Sequence, residues 1–149
     1  GIQAGSDMVM VSTASYERLD PGVPAAFSSM IINTLLRQGM SFDGVVIADD
    51  LGAAQQVADV APGDRAVRFL TAGGDLVING DPALQAEMTE AVRALAAEDL
   101  EFAEQVRKKA TRVVMMKARH GVAPCQVDPE QVDAGQTDAQ EPDSQTQGE

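Results

Sequence analysis

Residues 42–52 read FDGVVIADDLG, so four apolar residues, Val45 to Ala48, run directly into two adjacent carboxylates, Asp49 and Asp50. The apolar run predicts a buried β-strand, and acids at its end sit where strand passes into loop. Two kinds of chemistry suit that place. Paired acids after a strand hold magnesium in P-loop NTPases, but that machinery needs a G-x-x-x-x-G-K-[ST] loop and the chain contains none. The other use is as a carboxylate nucleophile, one ionised acid held rigidly beneath the anomeric carbon of a sugar. A plainer role competes for Asp50, which is expected to cap a helix starting near Leu51. Asp49, still attached to the strand, is the residue assigned to chemistry.

The elements that must position these acids are legible as a pattern. AGSDMVMVS at 4–12 and AGGDLVING at 72–80 form a weak internal repeat, each with a glycine suited to closing a helix and an apolar run that reads as a strand. With 44–48 they make three strands separated by helical periodicities, which implies an α/β fold with parallel strands and crossover helices. Ser28 is expected to cap the first helix, with Met30, Ile31 and Leu35 inward, joined by Ile32 and Leu36, and Gly39 after its end. Asp64 is expected to cap a short helix through Ala72, stopped by Gly73. Asp81 before Pro82 opens a helix with Leu84, Met88, Val92 and Leu95 on one side. Asp99 opens the last helix, with Phe102, Val106, Val113 and Val114 inward and Gly121 at its stop. Met8, Met10, Met115 and Met116 stand at core spacings. In such folds the carboxyl ends of the strands share one rim, where function concentrates. Ser12, Thr13, Tyr16 and Asn79 follow strand ends on that rim and can contact a ligand, while Asp7 and Asp75 precede their strands and are read as structural turn residues.

Composition narrows the partners. Of 149 residues, 44% are apolar and only 3% aromatic, which suits one aliphatic-cored domain. The net charge of -12 is unevenly spread: residues 121–149 contain 7 acids and no base. No basic or aromatic-plus-basic patch is present to neutralise phosphates, so nucleic acid is not an expected partner. No apolar run is long enough for a membrane span. A single cysteine, Cys125, offers no intrachain disulfide. The domain is expected to cover residues 1–121, with 122–149 a disordered acidic tail.

Taken together, AGSDMVMVS, DPGVPAAFSSMIINTLLR at 20–37, FDGVVIADDLG and AGGDLVI resemble the later half of the barrel domain of family 3 glycoside hydrolases. The likeness covers residues 1–120, lies in the β-N-acetylhexosaminidase-like branch, and is especially similar to actinobacterial exported lipoprotein members. It implies a (β/α)8 TIM barrel of which these strands are the sixth, seventh and eighth. In the family motif F-D-G-V-[VI]-[IF]-[ST]-D-[DA]-L the first Asp is the catalytic nucleophile of a retaining hydrolase, here Asp49. The resemblance implies a carbohydrate substrate, a glycosyl-aspartate intermediate, no cofactor or metal, and an exported, cell-envelope or secreted setting with cell-wall sugar turnover. Two departures stand out: Ala48 replaces the usual Ser or Thr, and Thr13 stands where a His is often found. The family's general acid/base His, its sugar-gripping Lys-His pair and an Arg fall upstream of residue 1, so the missing N-terminal part of the barrel is expected to be needed. His120, before Gly121, suits a helix C-terminus and not catalysis. A family 3 β-glucosidase or xylosidase, and a non-catalytic truncated remnant, are the alternatives.

Overall fold

The computed structural model describes residues 1–122. The expected tail therefore lies outside the described residues, save Val122, which is exposed. Three parallel strands, β1 (Met8–Val11), β2 (Val45–Asp50) and β3 (Leu76–Ile78), form one sheet in the order β1-β2-β3. A π-helix, Met30–Gly39, connects β1 to β2, and α1 (Pro62–Thr71) connects β2 to β3. Two helices, α2 (Gln85–Glu98) and α3 (Leu100–Arg119), complete the described chain.

One face of the sheet carries the core. Val11, Val46 and Ala48 pack against Ile32 and Leu36 of the π-helix, Phe69 and Leu70 of α1, and Met88 and Phe102 of α2 and α3. Ile32 and Phe69 are fully buried, each contributing about 1.5–3 kcal/mol through apolar burial. Strand side chains alternate between faces, so Met10, between two core-facing valines, points away from the helices and is 63% exposed. It pairs in register with Ile47, which pairs with Leu76, giving an apolar row across the uncovered face.

Local signals explain most helix ends. Ser28 Oγ accepts the amide of Ile31 at 3.1 Å and donates to Asp20 at 2.6 Å. Asp81 accepts from Ala83, and Asp99 from both Glu101 and Phe102. Gly73 ends α1 at φ 112, a left-handed value that a side chain rarely adopts.

Several expectations are corrected. Asp64 is not a cap; it lies in the first turn of α1, with Ala61 at the N-cap and Pro62 opening the helix. On the π-helix, Ile32 and Leu36 are buried, whereas Met30 and Leu35 are exposed. Its last turn closes from Met40 to Leu35, a five-residue step, so a period of 3.6 misassigns its faces. Leu35 and Met40 instead border an apolar groove of about 320 Å³ beside the open edge of β1, with Val9, Tyr16, Leu19 and Ile31. Val114, Met115 and Met10 are also exposed, because no described element covers those surfaces.

The strand starts are held from below by α3. Asp75, fully buried, receives Arg112 and Arg37 together with the backbone amide of Val46 at 2.7 Å. His120 meets Asp7, just before β1, at 3.0 Å. The eight steps from Arg112 to His120 rise about 12 Å, enough to pass beneath two strand spacings of about 4.8 Å each. Asp7, Asp75 and His120 thus belong to the rim opposite Asp49. Lys109 is buried beside this cluster; burial lowers its pKa, Asp75 raises it in part, and Arg112 and Arg37 lower it further.

Candidate active site

Asp49 sits in an irregularity of the sheet. Ile47 is in register with Leu76 and Asp50 with Ile78, so three steps along β2 are matched by two along β3. The extra residue is a β-bulge, a device that re-aims side chains at strand ends. Ala48, 0% exposed, packs into the helix-side core, and Asp49 follows it onto the rim.

The two carboxylates have different partners. Asp49 Oδ1 accepts the amide of Asp50 at 2.8 Å, and among the described residues its Oδ2 takes no hydrogen bond. Asp50 Oδ1 accepts three backbone amides: Gly52 at 2.8 Å, Gly80 at 3.1 Å and Ala53 at 3.2 Å. The amide of Gly80 and then that of Gly52 hold its carboxyl below the usual value; desolvation opposes them, and the amide of Ala53 adds a lesser pull downward. Hydrogen bonds to the charged form make Asp50 a fixed anion. The expected helix at Leu51 is absent: residues 51–53 form a turn, and the next helix is a short 3-10 turn, Gln55–Val57. Asp50 is therefore a brace between the segments after β2 and β3 and not a helix cap.

A side chain at either glycine flanking that brace would displace the polar end of a neighbouring side chain. A Cβ on Gly80 would stand 2.6 Å from Asp50 Oδ2, and one on Gly52 would stand 2.1 Å from Asn79 Oδ1. Asn79 itself is engaged with the backbone of Asp81, accepting its amide at 3.0 Å and donating to its carbonyl at 2.7 Å. Thr13 is buried and donates to Gln56 at 3.3 Å, which joins the segment after β1 to that after β2. Ser12 accepts the amide of Ala14, and Tyr16 stands exposed beside the β1 groove. Of the polar rim residues, Thr13 and Asn79 are thus occupied in holding loops together.

Sequence reasoning passed over Arg65. It is a buried arginine on α1 whose three guanidinium nitrogens all donate to carbonyls of residues 51–60. The available signal was a charge at core spacing beside Ala66 and Phe69. Among the described residues no group of three or more His, Cys, Asp or Glu is arranged to hold a metal ion, and no helix is long and apolar enough to cross a membrane.

Comparison with known proteins identifies the family. Residues 1–116 match the model of the glycosyl hydrolase family 3 N terminal domain. The chain belongs to this family. It is similar to the crystal structure of the β-N-acetylhexosaminidase from Beutenbergia cavernae, with 47% identity and a TM-score of 0.76, over 78% of this chain and 35% of that one. The family 3 β-N-acetylglucosaminidase from Paenibacillus sp. aligns at 28% identity and TM-score 0.73, over 85% and 24% of the two chains. A curated β-hexosaminidase of Xanthomonas oryzae is 39% identical over 93 residues, 62% of this chain. The chain spans 28% of the length of that relative. Its parallel sheet and helices are thus an α/β arrangement similar to part of the family 3 barrel domain.

Proposed function

We propose that residues 1–121 are the nucleophile-bearing C-terminal portion of a family 3 barrel, strands six to eight with their helices, acting in retaining hydrolysis of terminal β-linked N-acetylhexosamine. The observation that carries this reading is Asp49 at the strand end with a single amide on its carboxylate, beside an Asp50 whose Oδ1 is bound by three amides. A carboxylate held by a single amide is oriented yet available to react, whereas three amides on one oxygen fix and stabilise the anion. Asp49 attacks the anomeric carbon, the bond to the leaving oxygen breaks, and a covalent glycosyl-aspartate forms. Water then attacks the same carbon and releases Asp49. Both proton transfers fall to an acid/base on the remainder of the barrel, where the family resemblance puts a His. Cell-wall glycosides are the proposed substrate class, from the family resemblance, and the names of the relatives, β-hexosaminidase and β-N-acetylglucosaminidase, support an N-acetylhexosamine.

The test is peptide mapping after inactivation by a fluorinated mechanism-based N-acetylglucosaminide, with the 149-residue chain completed by the complementary barrel segment of the Beutenbergia cavernae enzyme. The expected label is on Asp49. A label on Asp50, or on no carboxylate of residues 42–52 while the assembly turns over substrate, rejects the assignment.

A further inference from the structure

We infer that Arg65 is a positioning residue for the Asp49 carboxylate, an inference that rests on reading Asp49 as the nucleophile. Arg65 is 7% exposed and makes no ion pair among the described residues. Its charge is met only by carbonyl dipoles. Nε donates to Val60 O at 2.7 Å, Nη1 to Leu51 O at 2.8 Å and Gly52 O at 3.1 Å, and Nη2 to Ala58 O at 3.2 Å. These acceptors come from the two ends of residues 51–60, so one side chain closes the neck of the loop that leaves the site. A buried charge is tolerated only when its donors are used in this way.

The constraint passes to Asp49 through two residues. Leu51 is gripped from both sides, its amide donating to Ile78 O at 3.0 Å and its carbonyl accepting from Arg65. Gly52 is gripped likewise, by Asp50 Oδ1 at its amide and Arg65 at its carbonyl. With the bulge on one side and these residues fixed on the other, the Asp50 peptide is held in place. That peptide's amide donates to Asp49 Oδ1. Arginine alone suits this position, because its planar fork of five N–H donors reaches separated acceptors, whereas a lysine ammonium presents three donors from one point.

Arg65→Lys in the completed assembly tests this. The expected result is a fall in kcat of about 10²-fold with KM changed by less than about threefold, the scale on which a misplacement of about 1 Å acts on a reacting group. The amide of Asp50 should lose hydrogen-exchange protection while those of α2 and α3 keep theirs. Added ethylguanidinium should partly restore kcat to Arg65→Ala. A wild-type kcat in Arg65→Lys, or protection lost evenly across the whole fold, overturns the inference. If the assembly with Arg65 intact turns over no substrate, the nucleophile reading is what fails. Exchange at Asp50 then still decides whether Arg65 orders that peptide.

Discussion

The carboxylate of Asp49 accepts the amide of Asp50 at 2.8 Å, while the carboxylate of Asp50 reaches onward to the amide of Gly80, thirty residues later. Adjacent acids thereby take separate roles. Asp50 commits its Oδ1 to the backbone of two loops, whereas Asp49 receives a single amide. The β-bulge makes this possible, because the extra residue in β2 lets Asp50 pair with Ile78 while Asp49 occupies the irregular position.

In the completed assembly, Asp49→Asn is expected to lower kcat by about 10⁴-fold or more, as removal of a reacting group does. Asp50→Asn keeps an oxygen acceptor and is expected to stay within about tenfold of wild type. Steady-state hydrolysis of a nitrophenyl N-acetylglucosaminide distinguishes them. Equal losses from both changes would show that the division of roles is wrong.

The Asp50 brace should depend on pH. Its folded pKa lies below the ordinary value near 3.8, so the folded state binds the proton less readily than the unfolded chain. The contribution is complete above the ordinary carboxylate value and is lost as pH falls through the lower folded value. Protection of the Gly52 and Gly80 amides, corrected for intrinsic exchange, should therefore drop on acidification. Asp50→Asn should lack that step; the same acid step in both proteins would assign it to another group.

By itself the 149-residue chain is expected to leave glycosides intact. Retaining hydrolysis needs a second group about 5–5.5 Å from the nucleophile, and Asp50 is committed to three amides. The only histidine is at the opposite rim against Asp7. Nitrophenol release by the purified chain that disappears in Asp49→Asn would contradict this and require an acid/base within these residues.

Asp75→Asn should lower the stability of the fold by about 3–5 kcal/mol, the usual cost of removing one partner from a buried ion pair. It would leave Arg37 and Arg112 beside each other without the carboxylate that both contact. Lys109→Met, which removes a buried ammonium already disfavoured by desolvation, should leave stability equal or higher. Denaturant midpoints measure both, and a loss from Lys109→Met matching that from Asp75→Asn would mean that Lys109 is a needed counterion.

Features governed by neighbours along the chain were readable from the amino-acid sequence. Ser28, Asp81 and Asp99 cap where their spacing says, because a cap reaches an amide only two or three residues ahead. The order of strands and helices followed from their apolar periodicities, and the candidate acid from its place at a strand end and its motif. Tertiary structure decided what depended on residues far apart. The faces of the π-helix were set by its winding, which a period of 3.6 cannot anticipate. The role of Asp50 was set by Gly80, that of Thr13 by Gln56, and that of Arg65 by carbonyls presented only once residues 51–60 had folded back over α1. Asp75 looked like a turn residue and is instead the anchor of two arginines from separate helices, 37 and 38 positions away. Such partners are chosen by strand register and helix packing, since a hydrogen bond forms only within about 3 Å and in near-linear geometry.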